Sequence, residues 1–315
     1  LDSRLEEDHG IVPPYTPVSR RGDTLGVLGR KMVVGPAGFP RSLQSYFTIE
    51  MTSIGTRPRE LLAGPVGLTA EGTDGRALAW SSDGFRILEH DTGMITWESN
   101  STAGVLRMKV QGSLEFDGNA EFSVSLTADS AVTLRDVRLE LPLRPEVARY
   151  MMGLGFKGGT RPDSLDWTWE VKHNQDGAWL GDVNAGLQFG LKDDKYSRPL
   201  NTNFYLSKPL VMPASWANAG RGGCRLRARR EAYVVVCYSG PRTMAAGEVQ
   251  HYDFRLLLTP FHPIDTKAQW ATRYFHAYVP LDSIAKMGAN TVNVHHATAI
   301  NPYINYPFLR PDAMK

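Results

Sequence analysis

The chain has 315 residues, 42% of them hydrophobic and 22% charged, which is the balance of a soluble globular protein long enough for two domains or one large β domain. A formal net charge of +2 is too small for the broad positive field that binds nucleic acid or an anionic membrane, so neither is expected as a partner. Thirty Gly and twenty Pro favour many turns over a helical bundle, and no window approaches the 18 consecutive apolar residues of a membrane span.

The sequence opens at Leu1 without Met or an apolar leader, which is expected of a processed chain or of a piece of a longer one. From Asp23 to about Leu143, short apolar or alternating runs are separated by Gly, Asp, Asn and Pro, as in "TLGVLGRKMVVG", "SYFTIEMTSIG", "FRILEHDTGMITWES" and "GVLRMKVQGSLEF". Phe122, Val124 and Leu126 alternate with small polar residues, and so do Val137, Leu139 and Leu141. This period of two predicts antiparallel strands stacked as a sandwich. "RPEVARYMMGLG" reads as the one helical interruption, a turn or two long.

Strand patterns resume after Gly155 in "DWTWEV", "LQFGL", "TNFYL", "YVVVCYSG" and "HYDFRLLLTPF". Cys224 and Cys237 flank "RLRARREAYVVV", a hairpin turning near Arg230 and Glu231. The two cysteines then face each other as a cross-strand disulfide or, the favoured reading, as two buried free thiols. Arg225, Arg227, Arg229 and Arg230 make this hairpin basic, and their alternation reads as a solvated strand face more than a phosphate-binding patch. The sequon Asn100-Ser101-Thr102 is a glycosylation acceptor only in a eukaryotic secretory setting.

After His262 the character changes. "TKAQWATRYFHAY" and "PLDSIAKMG" have helical spacing, Asp282 can cap a turn, Gly288 ends it, and "NTVNVHH" follows as a short strand. "RPDAMK" resembles a helix start, with Pro311 in the first turn and Asp312 near the positive end of the dipole. The expected architecture is mainly β: a large antiparallel β-sandwich over residues 1–262. It is followed over 263–315 by a linker helix and the first β/α unit of a (β/α)8 barrel whose remainder lies outside the sequence. The apolar residues of the 290–315 end are then expected to be covered by the rest of a barrel or by a partner chain.

The stretch richest in chemistry runs from Asp163 to Gly186. Lys172, His173, Asn174, Asp176, Trp179, Asp182 and Asn184 combine a flat apolar ring with donors and acceptors, the mixture a sugar needs for its C–H faces and its hydroxyls. The plainer alternative is turn residues around core tryptophans. Trp167 and Trp169, on one strand face, are read as core; for Trp179 and Asp182, in a Gly-rich loop, both readings stand. His295 and His296 point to opposite faces of a strand and have no partner at ligand spacing, so no metal site is expected. They are then one satisfied core histidine and one exposed one or, at the carboxyl end of a barrel strand, substrate contacts, with Asn301, Tyr303, Asn305 and Tyr306 on the same rim. There is no GxSxG, phosphate loop or HExxH, the GxG fragments lack a following helix and distal acid, and no cofactor is expected.

The strings "YMMGLGFKGG", "VKHNQDGAWLGDVNAGL", "RPLNTNFYL", "LLLTPFHP" and "GANTVNVHHATAINPYINYPF" together resemble glycoside hydrolase family 123-like proteins, most clearly from Tyr150 to Lys315. The resemblance implies a β-sandwich preceding a (β/α)8 barrel, in a secreted, periplasmic or lysosomal-type enzyme acting on amino-sugar-containing glycans. It also implies β-N-acetylgalactosaminidase activity by a substrate-assisted mechanism. An adjacent Asp-Glu pair on a barrel strand then orients the acetamido group and protonates the leaving oxygen, a departure from the usual two protein carboxylates. "LEEDHG" matches no such strand, so no catalytic residue is assigned, and the pair is expected beyond residue 315. The residues expected to bind carbohydrate are Lys172, His173, Trp179, Asp182, His295, His296 and Asn301. The rival reading is a non-catalytic glycan-binding or structural module.

Overall fold

A computed structural model describes residues 10–169, 176–195, 212–275 and 281–292. The chain divides into two compact units, Leu1–Pro263 and Ile264–Lys315.

The described part of the first unit is built almost wholly of antiparallel strands. Ser19–Arg21, Thr24–Val27, Arg30–Val34, Pro40–Phe47 and Ile54–Glu60 form a five-stranded meander in chain order. A ten-stranded sheet starts at Ser81–His90 and continues through Met94–Ala103, Leu106–Glu115 and Asn119–Ala128. It then passes to Phe254–Thr259, Ala185–Leu191, Gly177–Asp182, Tyr150–Gly153 and Phe156–Thr160, with Val249–His251 also pairing on Asn119–Ala128. A six-stranded sheet has the order Ser164–Thr168, Gly223–Ala228, Tyr233–Tyr238, Val132–Leu143 and Arg242–Met244, with Gly67–Gly72 also on Val132–Leu143. Stacked antiparallel sheets of this kind are consistent with a β-sandwich.

The alternation in the sequence is what builds the core. In Asn119–Ala128 the buried residues are Ala120, Phe122, Val124, Leu126 and Ala128, while Glu121, Ser123, Ser125 and Thr127 face outward. In Val132–Leu143 an irregularity between Leu134 and Asp136 inserts one extra residue, so the buried set steps from Leu134 to Val137, Leu139, Leu141 and Leu143. Phe122 stacks on Phe254 at 4.5 Å, and Trp97 meets Phe122 edge-on at 5.9 Å. Arg30 is buried as well, and burial pulls its pKa down to about 10. Its guanidinium donates to the carbonyls of Leu28, Asp117, Leu258 and Phe261, so every stretch it touches is tied to the meander.

One local expectation is corrected. The segment after Leu143 is a hydrogen-bonded turn, with Val147 and Ala148 N–H donating to Arg144 O, and the chain returns to strand at Tyr150–Gly153. Pairing with Gly177–Asp182 and Phe156–Thr160 overrides the helical spacing of "RYMMG". "TNFYL" lies outside the described residues. A short helix not anticipated from the sequence, Ala214–Ala217, buries Trp216, whose indole donates to Asp253 O and meets Tyr252 edge-on at 4.9 Å.

In the second unit, Asp265 caps the helix Thr266–Ala271 by accepting from Ala268 N. This helix is shorter than the pattern suggests, because Tyr274–Phe275 is strand; aromatic residues there favour pairing over another helical turn. The helix Leu281–Lys286 carries Asp282 in its first turn, and Gly288 follows at φ +74°. Thr291–Val292 then pairs parallel to Tyr274–Phe275, giving a strand, helix and parallel strand. The strand Tyr274–Phe275 was not anticipated from the sequence. No helix of the described residues is long and apolar enough to cross a membrane.

Candidate functional site

The residues around Trp179 form a strand hairpin, not a loop. Gly177–Asp182 pairs with Ala185–Leu191 in full register, from Gly177 opposite Gly190 to Asp182 opposite Ala185. Alternation then sends Ala178 and Leu180 into the core and Trp179 to the outer face of the ten-stranded sheet. A Cβ added at Gly181 would lie 2.4 Å from the Trp179 ring, and one at Gly186 would lie 2.7 Å from its Nε1. The indole therefore lies across two glycines, a position that any larger residue there would block. Its Nε1 donates to Thr259 Oγ1 at 2.9 Å, which fixes the ring in its plane.

The neighbours on that face are Met152, directly opposite Trp179 on one side, and Gln188, opposite on the other. Tyr150, opposite Gly181, shares the face. Tyr150 and Met152 are 38% and 57% exposed, so the half-buried indole continues into an accessible platform. A flat apolar surface edged by a phenol and an amide can stack on the C–H face of a sugar ring and hydrogen-bond its hydroxyls.

Asp182 does something different. It points to the opposite side of its strand from Trp179, and the two do not line one surface. Its carboxylate is buried and paired with Arg59 at 2.8 Å and with Arg149 at 3.5 Å, and Oδ1 accepts from Val183 N at 2.9 Å. Burial alone would raise this carboxyl. The Arg59 hydrogen bond, the Val183 N–H and the charges of Arg59 and Arg149 outweigh it and hold the pKa below the ordinary carboxylate value. Asn184 joins the same network: its side chain donates to Phe47 O at 2.7 Å and accepts from Arg59, while its backbone oxygen accepts from Ser45 Oγ. Arg59, Asp182 and Asn184 together fasten the five-stranded meander to the hairpin that carries Trp179.

Trp167 and Trp169 pack edge-to-face at 4.9 Å against the core, as their sequence reading expects. Asp176 is buried at the start of the hairpin. Lys172, His173, His295, His296 and Asn301 lie outside the described residues. Among the described residues no group of three His, Cys, Asp or Glu side chains could hold a metal ion. Tyr150, Met152, Gln188 and Arg59 were not anticipated as neighbours of this hairpin. Only strand pairing brings them together, and no local pattern announces it.

Residues 18–260 match the third domain of glycoside hydrolase 123, and residues 265–315 match the TIM-barrel domain of the same family. No curated protein matches the sequence significantly. Among solved structures, a galactose mutarotase related enzyme from Lactobacillus acidophilus is 10% identical over 78% of this chain and 98% of its own, with a TM-score of 0.39. A GalM/aldose epimerase homologue from C. elegans is 7% identical over 78% of this chain and 98% of its own, with a TM-score of 0.44. A heparan sulfate lyase HepC mutant from Pedobacter heparinus is 7% identical over 76% of this chain and 34% of its own, with a TM-score of 0.40. Likenesses at this level carry no argument about function. With the third-domain match covering most of its length and the barrel match following it, the chain belongs to the glycoside hydrolase 123 family.

Proposed function

We propose that this protein is a glycosidase of amino-sugar-containing glycans, with terminal β-linked N-acetylgalactosamine as its substrate and the substrate's own acetamido group as internal nucleophile. The observation that carries the reading is the succession of the two family domains along the chain, sandwich then barrel. In the proposed reaction the acetamido oxygen attacks the anomeric carbon as a protein acid protonates the leaving oxygen, and water then opens the cyclic intermediate. The protein Asp-Glu pair that this route requires is assigned to no residue of this sequence.

What the sandwich contributes is binding. Trp179, fixed by Thr259 and bordered by Tyr150, Met152 and Gln188, offers a rigid platform for a sugar ring. Asp182 supports that hairpin from behind. Lys172, His173, His295, His296 and Asn301 remain proposed substrate contacts on chemical grounds, as donors suited to sugar hydroxyls. Glycans of this type place the protein in a secreted, periplasmic or lysosomal-type compartment.

The test is hydrolysis of aryl glycosides by the protein expressed from its full gene. The N-acetyl-β-galactosaminide is expected to be cleaved, and the β-galactoside, which has a hydroxyl in place of the acetamido group, to be inert. Equal cleavage of both would reject the substrate-assisted route. Binding of amino-sugar glycans without cleavage of any aryl glycoside would instead favour a non-catalytic glycan-binding module.

A further inference from the structure

The outer face of the six-stranded sheet holds a cleft of about 550 Å³ that the glycosidase reading leaves unused. Six guanidiniums line it, from Arg135, Arg138, Arg221, Arg225, Arg227 and Arg229, against only two carboxylates, Glu71 and Asp136. Strand alternation places Arg225 and Arg227 on this face, because Cys224 and Leu226 between and beside them are buried.

These arginines divide by partner. Arg227 uses both terminal nitrogens: two bonds to Asp166 of 2.7 and 2.8 Å, and two more to the carbonyls of Leu165 and Leu226. Arg138 sits between Glu71 at 2.6 Å and Glu140 at 2.8 Å, and Arg135 lies 3.3 Å from Glu71. Asp136 accepts from the N–H groups of Ser239 and Gly240 through Oδ1, and its Oδ2 lies 3.8 Å from Arg138. Among the described residues, Arg221, Arg225 and Arg229 have no carboxylate partner. Arg221 is held by Asn218 alone, a neutral group, through its backbone oxygen at 3.2 Å and its amide oxygen at 2.8 Å. Arg225 stacks on the ring of Tyr238, 4.0 Å from its centroid. Stacking fixes the plane of the guanidinium and leaves its N–H edge free, the arrangement in which a planar fork matches the paired oxygens of an anion.

We infer that this cleft is an anion site for an acidic group carried by a glycan, a sulfate ester or a uronate carboxylate, gripped by Arg225 with Arg221 and Arg229. The choice of a glycan rests on the glycosidase reading above, and on the overall charge of +2, which supplies no field for nucleic acid. The cleft is local, walled by Arg–carboxylate pairs that keep the surrounding charge balanced.

The experiment measures binding of fluorescein-labelled chondroitin sulfate, of its chemically desulfated form, which retains the uronate, and of a neutral dextran to the full-length protein. Chondroitin sulfate is expected to bind and dextran not, and Arg225→Ala to weaken binding about tenfold or more, the size of one lost charge-assisted hydrogen bond. Arg225→Lys, which keeps the charge and loses the fork, is expected to recover only part of it. Arg20→Gln, an exposed arginine of the first strand removing the same charge, is expected to change nothing. Loss confined to the desulfated polymer identifies sulfate as the recognised group, whereas equal binding of both acidic polymers identifies the carboxylate; either supports the site. Absence of binding to both acidic polymers overturns it, and so does full binding by Arg225→Lys or an equal loss in Arg20→Gln. Because binding is read without turnover, an inactive protein that still binds through Arg225 would sink the glycosidase reading and leave this site standing.

Discussion

Arg59 reaches from the last strand of the meander to Asp182, 123 residues later, and closes an ion pair of 2.8 Å with the carboxylate side chain only 5% exposed. Removing the charge by Asp182→Asn leaves Arg59, whose side chain is 26% exposed, without its main partner. Because water still reaches the arginine, the cost is expected below that of a fully buried pair, roughly 1–3 kcal/mol by denaturant unfolding at pH 7. The pH dependence has a definite sign. The folded carboxyl titrates below its ordinary 3.8, so in that window the unfolded chain binds more protons. The stabilisation is complete above about pH 4 and lost as pH falls through the depressed folded value. The gap between wild type and variant is therefore expected to narrow on acidification, and a gap constant from pH 7 to pH 3 would contradict the pairing. Asp136 and Asp253, whose carboxyls burial raises, have the opposite slope above that window but are common to both proteins.

Trp97 is fully buried and lies over Gly112, its cross-strand partner, where an added Cβ would sit 2.2 Å from the indole. Gly112→Ala must displace a ring that also donates to Gly38 O at 2.9 Å. A destabilisation of about 2 kcal/mol or more is expected by urea unfolding, within the range for overpacked cores. Gly67→Ala, with nothing within 4 Å of its Cβ, is the comparison and is expected within about 0.5 kcal/mol of wild type.

These cases show what was legible in the sequence. Alternation is a local signal, so Phe122, Val124 and Leu126, and Val137, Leu139 and Leu141, were identifiable as core faces before any pairing was known. The hairpin of Cys224 and Cys237 was legible for the same reason: its strands end at Ala228 and Tyr233, and Arg229 N–H donates to Ala232 O across the turn. The meeting of Arg59 with Asp182 was not, because pairing across 123 residues has no local pattern. The same holds for the face of Trp179. Read as a loop, the segment allowed Trp179 and Asp182 to converge; as a paired strand, its period of two separates them. The partnering of the arginines was equally hidden, since which guanidinium is neutralised depends on Asp166, Glu71 and Glu140 from other strands.

Cys224 and Cys237 stand directly opposite each other as buried free thiols, and burial pushes the Cys224 thiol well above its ordinary value. Thiolate, the reactive form, is thus suppressed at Cys224, and burial closes Cys237 off from reagents. A thiol-reactive disulfide reagent at pH 8 is expected to label neither cysteine under native conditions and both in guanidinium without reductant. Zero thiols after denaturation would show that the purified protein carries the bridge instead.

Trp179 separates a binding role from a packing role, because its ring both fills space over Gly181 and Gly186 and continues an exposed face. Trp179→Ala removes both and is expected to lower kcat/KM on an amino-sugar glycoside about tenfold or more, the effect of a lost aromatic contact of about 1.4 kcal/mol. Trp179→Phe keeps a flat ring over the glycines but cannot donate to Thr259; it is expected to retain most of the activity at a small cost in Tm. Trp80, half-buried against the core with its indole donating to Leu68 O at 2.8 Å, serves as the packing control. Trp80→Ala is expected to lower Tm and leave the activity per folded molecule unchanged. If Trp179→Ala behaves as Trp80→Ala does, losing stability alone, the platform is part of the core and sugar stacking there is ruled out.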